Sequence, residues 1–532
     1  MNSTIKISRY EIGKAEYTKL LFAFVFIGMV FVPLFSMLGQ MDAESIKAVV
    51  SSPRFGEAVV NSLVSALVGT LITVAIAFVL ALCIRRTNIR LKGLFEVIFV
   101  LPMLLPSISH GMGLVILFGN NGILTKFLNL NSSIYGLSGI VIGSVLYAFP
   151  VAYLMLSDVF QYEDGSAYEA ADVLGISKFR QFTAIMLPFL RKPLISVVFA
   201  TFTMMITDYG VPLMVGGKYN TIATVMYQEV IGQMNYKTGA VYGTFLLIPA
   251  VIAFVIDALN KDRGNSGYVT KPCKVSKSKL ISLGSYLYCI AVSVATILPI
   301  FAFVVRAFAK NYPTDLTFTL ENVTKTFRLR ADEYFVNSLI IAAITSVLGV
   351  IIAFMTAYLS ARMKSKLSRF LHLSAMTSAA IPGLVLGLSY VIVFNSFKAI
   401  YGTIFLLAFV NIIHFIASPY LMMYNSMCKI NENIEDVAHT MGIKRSLVIK
   451  DVLIPQCRNT ILEMFSFFFV NCMMTISAVS FLAKTTNKPL SLMIDQFNDN
   501  GKIESAAVVS LLILITNLVI KAVVRLLRKN KV

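Results

Sequence analysis

Twelve apolar runs, each long enough to cross a bilayer as a helix, fix the class of this chain before any motif is read. They fall at about 20–38, 59–83, 94–118, 134–158, 193–215 and 240–258, then at about 280–308, 335–360, 369–395, 403–427, 460–483 and 505–526. A hydrocarbon core about 30 Å thick needs roughly 20 apolar residues in helical form. A helix also satisfies its own backbone polar groups, which lipid cannot do. The expected fold is therefore an all-α polytopic membrane protein with about twelve transmembrane helices, six per half. Composition agrees, with 57% of the 532 residues hydrophobic and only 14% charged, against about a quarter charged in soluble domains. The first run, about Leu20 to Leu38, is longer than a signal-peptide core and lacks a small-residue cleavage site. It reads as a retained helix.

A net charge of +19 invites a nucleic-acid reading. The basic residues, however, sit in short loops between apolar runs, where they set orientation in a membrane. With the N-terminus inside, most of the 46 Lys and Arg fall on the cytoplasmic side. Both termini and the polar stretch 259–279 are expected to be cytoplasmic, and no nucleic-acid partner is expected. The bilayer is the partner that composition implies.

The two halves repeat each other. Val60-Asn61-Ser62-Leu63 returns as Val336-Asn337-Ser338-Leu339, and Arg86 and Pro106 return as Arg362 and Pro382, all 276 positions later. Beyond the loop holding Gly119-Asn120-Asn121-Gly122 the offset becomes 267, as Tyr153-Leu154-Met155 returns at Tyr420-Leu421-Met422. A length change belongs in an exposed connection. The division is a first half, 1–258, a linker, 259–279, and a second half, 280–532. Six helices per half make the repeats parallel, with the same orientation in the membrane. The Gly, Ser and Lys content of the linker reads as a flexible tether.

One polar island in each half carries a motif. The first, within 165–190, runs Tyr168-Glu169-Ala170-Ala171-Asp172-Val173-Leu174-Gly175-Ile176 and on to Ile185-Met186-Leu187-Pro188. The second, within 432–457, runs Glu435-Asp436-Val437-Ala438-His439-Thr440-Met441-Gly442-Ile443 and ends at Pro455. Gly175 and Gly442 lie 267 positions apart, as do Pro188 and Pro455. Ser166 with Glu169, and Asn433 with Asp436, have capping-box spacing. Each glycine then stands where a left-handed C-terminal cap belongs. A helix this short does not hold itself together in water and needs support.

Glu-Ala-Ala, three residues, Gly, then Ile-x-Leu-Pro resembles the EAA loop of bacterial ABC importer permeases. The first copy matches at Glu169, Ala170, Ala171 and Gly175; the second has Asp436, Val437, Ala438 and Gly442, departing at the first two. The resemblance covers nearly the whole chain, as a fusion of two permease halves of the type I importer kind. It implies that each loop forms a coupling helix docked in a groove of a cytoplasmic ABC ATPase, a homodimer. It also implies an extracytoplasmic solute-binding protein and a place in the bacterial inner membrane. No cofactor is implied in this chain; ATP and Mg belong to the partner ATPase. Such fused forms resemble permeases of ferric-iron, thiamine and aminoalkylphosphonate importers, and ferric iron or an organophosphonate is the first expectation for the solute.

Residues with a chemistry of their own are few. There is no P-loop, His-Glu-x-x-His or Gly-x-Ser-x-Gly, so energy must come from a partner. Asp208, just before Gly210 and Pro212, is an acid within an apolar run. It either lines the translocation path or bonds freed backbone at a bend. His110 and His414 read as satisfied packing residues. Glu463 reads as pairing with Arg458 on the cytoplasmic side. Six scattered cysteines show no metal spacing and suggest no disulfide. The alternatives are a twelve-helix secondary transporter and, behind it, a polytopic membrane enzyme. The first lacks support because the motif-bearing loops follow the fourth helix of each half.

Overall fold

The computed structural model describes residues 16–129, 133–260, 271, 273–276 and 278–529. The N-terminal polar segment to residue 15, residues 130–132, linker residues 261–270, 272 and 277, and residues 530–532 lie outside the described residues. The expected placement of both termini falls there.

The first half comprises α1 (Glu16–Leu38), α2 (Pro53–Arg86), α3 (Lys92–Leu104), α4 (Ser107–Phe127) and α5 (Leu137–Gln161). It continues with α6 (Ser166–Val173), α7 (Lys178–Thr207), α8 (Gly210–Val215), α9 (Ile222–Gln233) and α10 (Tyr236–Asn260). The second half opens with α11 (Lys279–Phe308) and a small hairpin, β1 (Ala309–Asn311) with β2 (Asp315–Phe318). Then follow α12 (Glu321–Ala361), α13 (Lys366–Ala380), α14 (Gly383–Phe394), α15 (Ile404–Phe415) and α16 (Ala417–Cys428). It closes with α17 (Ile434–Thr440), α18 (Arg458–Met474), α19 (Met493–Asp499) and α20 (Ile503–Lys529).

Among the described residues, eight helices are long and apolar enough to cross a membrane, or eleven if each bent pair is one span. The expected twelve is not reached. The run 460–483 is helical only as α18, 17 residues or about 25 Å, and turns extended at Thr475. Its remaining apolar residues Ile476, Ala478, Val479 and Leu482 are buried inside the protein. Hydropathy cannot separate a side chain that faces lipid from one packed within the bundle.

The repeated prolines explain two bends. α3 meets α4 at 102° and α13 meets α14 at 110°. A residue before proline is pushed out of helical geometry. Leu105 (φ −116°, ψ 144°) and Ile381 (φ −95°, ψ 115°) are both extended, immediately before Pro106 and Pro382. The 57° bend between α15 and α16 has a related cause: Pro419 lacks the N–H that would bond Phe415 O.

Each half is completed by the first helix of the other. The Tyr390 hydroxyl of α14 donates to Met29 O of α1 at 2.8 Å, and Lys19 Nζ of α1 reaches Ser365 Oγ at 3.0 Å. Conversely, the Arg90 amide of the first half donates to Tyr286 Oη of α11 at 2.6 Å. α11 packs on α2, α3 and α4. The halves are thus interlocked beyond the covalent linker.

The duplicated Val-Asn-Ser-Leu now has a physical account. Asn61 Nδ2 donates to Asn220 O at 3.0 Å, and Ser62 Oγ accepts from the Ile222 amide at 2.8 Å. Asn337 Nδ2 donates to Thr486 O at 3.2 Å, and Ser338 Oγ accepts from the Leu490 amide at 2.7 Å. Each Asn-Ser pair moors the segment that returns the chain after the break in α7 or after α18.

Candidate functional site

Both motif loops fold as short helices at the ends of α2 and α12. α6 ends at Gly175 with φ +67°, and α17 ends at Gly442 with φ +71°. The bonds match: the Ile176 amide reaches Ala171 O at 2.9 Å, and the Ile443 amide reaches Ala438 O at 2.8 Å. The left-handed caps expected from sequence are present. A five-residue wide turn then precedes each proline, at Phe182–Met186 and at Ile449–Leu453. Such a turn relieves the clash between a proline ring and the preceding carbonyls.

The capping boxes are not formed, for one reason in both halves. Neither Gly165 nor Asn433, the residues preceding the helices, makes a side-chain cap. The acceptors sit earlier. Asp164 Oδ1 takes the Ser166 amide at 3.1 Å, and Asn431 Oδ1, its counterpart, takes the Asn433 amide at 2.9 Å. Glu169 is thereby free to bind elsewhere. Lys271 Nζ and Lys274 Nζ, from the segment between the halves, each lie 2.9 Å from its carboxylate. Hydrogen bonds from Lys274 and then Lys271 hold that carboxyl below its ordinary range. Asp172 is similarly lowered by Lys178, whose Nζ is 2.6 Å away.

The motif alanines divide by face. Ala171 and Ala438 are buried against the bundle. Ala170 and its counterpart Val437 are exposed, so the departure at Val437 costs no packing. Exposed apolar side chains crown both helices: Val173 and Leu174 on the first, Val437 and Met441 on the second. Asp436, the counterpart of Glu169, is exposed.

Arginines at the ends of α2 and α12, visible in the repeat but not assigned a role from sequence, anchor these loops. Arg86 Nη2 pairs with Glu163 at 2.5 Å and stacks 4.7 Å over the Tyr168 ring. Arg362 pairs with Glu435. A cavity of about 620 Å³ opens beside the first loop, lined in part by Arg86, Tyr168, Glu169, Asp172 and Lys274.

Asp208 lies apart from the loops, at the far end of α7, about 30 Å of helix beyond Pro188. Its carboxylate accepts the Gly210 amide at 3.3 Å and the Val211 amide at 3.0 Å, with Ser107 as a further partner. These are freed backbone groups at the break, one of the two expected roles. His110 is satisfied by Pro102 O at 3.2 Å. His414 differs from expectation: its Nδ1 is buried with no hydrogen-bond partner among the described residues. Glu463 pairs with Arg528, not with Arg458, which instead donates to Leu527 O at 3.1 Å. Residues 65 and 69 positions apart can meet because α20 returns beside α18. Tyr209 stacks on Tyr227 at 4.7 Å within the first half, and the Tyr227 hydroxyl reaches across to Asp495 of the second at 3.2 Å. No periodic signal marks that cluster, whose members lie far apart in the chain.

Three similarities bear on this geometry. The chain is 24% identical, over 85% of its length and 68% of the relative's, to the ferric transport system permease protein FbpB of Actinobacillus pleuropneumoniae. It is 21% identical, over 87% of its length and 88% of the relative's, to the Fe(3+)-transport system permease protein FbpB 2 of Haemophilus influenzae. Over 35% of its length it is 26% identical to the molybdenum transport system permease protein ModB of Azotobacter vinelandii, covering 86% of that protein. A family description, binding-protein-dependent transport system inner membrane component, matches twice, at residues 69–261 and 345–531. Each match begins beyond the exchanged first helix and contains one motif loop. The duplicated loops, the repeated bends and the two matches agree: this chain belongs to the binding-protein-dependent transport system inner membrane components, as a membrane-embedded, non-catalytic permease subunit carrying two copies of the family's domain.

Proposed function

We propose that α6 and α17 are coupling helices that dock into the two subunits of a cytoplasmic ABC ATPase. In this reading Glu169, Ala170, Ala171 and Gly175 form the first contact, and Asp436, Val437, Ala438 and Gly442 the second. ATP and Mg act in the ATPase, which this chain does not contain. An extracytoplasmic binding protein delivers solute to the opposite end, and the halves alternate between outward- and inward-facing states. One observation carries the reading: two short helices, 267 positions apart, share a left-handed glycine cap, a buried alanine and an exposed apolar tip. The Lys and Arg bias supports a cytoplasmic position for that end, both termini and the linker, in a bacterial inner-membrane protein.

Ferric iron is the first solute to test and an organophosphonate the second. Support comes from the relatives named for ferric transport, which align across both halves, whereas the relative named for molybdenum aligns with about a third of the chain. Asp208, besides its bonds to freed backbone, is proposed to line the translocation path. The test is radioactive ferric-iron uptake in cells expressing the permease with its binding protein and ATPase, competed by excess organophosphonate. Iron uptake lost with Gly175→Val supports both readings; uptake of phosphonate alone replaces the solute and leaves the coupling helices standing.

A further inference from the structure

We propose that the segment joining the halves belongs to the first ATPase-docking surface, with Lys271 and Lys274 as positioning residues that hold α6 through Glu169. This rests on the coupling-helix reading above. The flexible tether expected from composition is not what the described linker residues form. Lys271 O accepts the Gly165 amide at 2.8 Å, and the Lys271 amide donates to Asp164 Oδ1 at 3.2 Å. Cys273 Sγ donates to Glu163 O at 3.4 Å, and the Ser276 amide donates to Arg86 O at 2.9 Å. Ser276 also bridges Thr87 as a parallel pair. The strap is therefore pinned at one end to the start of α6 and at the other to the end of α2.

Between those pins, both lysines converge on one carboxylate. An isolated exposed ion pair contributes little because ordering two long side chains offsets it. Here the described strap residues Lys271 and Ser276 are already held by backbone hydrogen bonds, so less freedom is lost in forming the pairs. α6 has eight residues, too few to be stable alone. The strap supplies an acceptor to an amide at its N-terminal end and charge to its acid. The exposed tip, Val173 and Leu174, is thereby fixed relative to α2. The second helix is held differently: Arg362 of its own half binds Glu435, and Asp436 has no partner among the described residues. The two docking surfaces are unequal, one a composite of helix and strap, the other a helix alone.

The experiment measures binding of the ATPase that co-purifies with the wild-type chain to full-length permease in nanodiscs. Lys271→Ala with Lys274→Ala is expected to weaken binding at one of two sites by roughly three- to tenfold. Lys271→Arg with Lys274→Arg is expected to restore it. In a Glu169→Gln background the double alanine change should have no further effect, because the lysines then have no carboxylate to hold. Unchanged or tighter binding of the double alanine variant overturns the proposal, as does an equal loss in the Glu169→Gln background. Gly175→Val in parallel separates the two readings. Weakened binding there beside an unaffected lysine variant removes the strap proposal alone, while wild-type binding by Gly175→Val removes the coupling assignment itself.

Discussion

Arg362 Nε lies 2.7 Å from Glu435 Oε1, at a position where the first half has Tyr168 instead of an acid. The repeat preserves the arginine and changes its partner. Arg86 reaches back to Glu163 and stacks on Tyr168; Arg362 reaches forward to Glu435 and also binds Ile430 O at 2.8 Å and Asn431 O at 2.7 Å. Both solutions fix the motif helix to the end of the longest helix in its half.

Arg362→Ala is expected to release α17. The Arg362 side chain is 3% exposed and Glu435 13%, and removing one partner of a buried pair costs about 3–5 kcal/mol. Arg362→Lys should recover little, since an ammonium cannot hold a carboxylate and two carbonyls in one plane. Proteolysis within 429–457 checks this, with accelerated cleavage in both variants as the expected result.

Gly175→Val and Gly442→Val are each expected to cost about 1–2 kcal/mol locally, from the left-handed backbone alone. No heavy atom lies within 4 Å of a Cβ added at either position, so steric collision does not contribute. Asn tolerates this conformation, and Gly175→Asn should therefore keep most ATPase binding where Gly175→Val loses it. Equal losses in Asn and Val would remove the conformational explanation.

Much of this was legible in the sequence, and what was not has a common cause. The caps at Gly175 and Gly442 follow from local spacing. Pro106, Pro382 and the Asn-Ser pairs were marked only by the repeat, and their bends and bonds came from the structure. The strap on Glu169, the Arg528–Glu463 pair and the Tyr227–Asp495 contact join residues far apart in the chain, and periodicity carries no record of such pairs. The run 460–483 reads as one helix in sequence for a different reason: Ile476, Ala478, Val479 and Leu482 are apolar because protein surrounds them. Capping-box spacing misled at Ser166 and Asn433 because Asp164 and Asn431 compete for the same helix start.

The break after α7 and the break after α18 pack against their own bent helices in inverse fashion. A Cβ at Gly210 would collide with Ser107 Oγ, and a Cβ at Gly383 would collide with Ser477 Oγ. Ser107 aligns with Gly383 and Gly210 with Ser477, so each half pairs one serine with one glycine and swaps which strand carries which. Gly383→Ala is expected to destabilise the protein by about 1–3 kcal/mol, and adding Ser477→Gly should recover part of that. Thermal unfolding in detergent reads both, and an additive loss in the double variant would count against the contact.

Asp208→Asn keeps one acceptor for the two amides of Gly210 and Val211 and removes the charge. Uptake is expected to fall while membrane accumulation and ATPase binding stay near wild type. Asp208→Ala, which removes both acceptors, should in addition lower accumulation. Wild-type uptake by Asp208→Asn would leave only the backbone-capping role.

Asp495 lies in α19, outside the spans, where burial first and the Asp499 charge second push its carboxyl up to about 6. Its hydrogen bond from Tyr227 and the charge of Lys488 oppose that rise. A raised value means the folded state favours the proton. This contribution to stability is full below the ordinary carboxylate value of 3.8 and is lost as pH rises through about 6. It amounts to at most about 3 kcal/mol. Between pH 4 and pH 7, the unfolding midpoint of Asp495→Asn relative to wild type is expected to rise by a few degrees. A pH-independent difference would show that Asp495 does not titrate in this range.

The exchanged first helices give a chemical test of the interlocked fold. Cys83 of α2 and Cys289 of α11 belong to different halves, are buried, and meet thiol to thiol. Both are free thiols in this structure. A protease site inserted between residues 264 and 265 would let the halves be cut apart after purification. If α11 packs against α2, mild copper–phenanthroline oxidation should join the thiols, and the cut halves should run together on a non-reducing gel. Reductant should separate them, and Cys83→Ser should abolish the joined band. Because α11 follows the cut and α2 precedes it, a bond between these cysteines forms only when the first helix of the second half lies on the first half. Separate halves after oxidation of the wild-type pair would contradict the exchange. Joined halves in Cys83→Ser would mean that another pair had reacted.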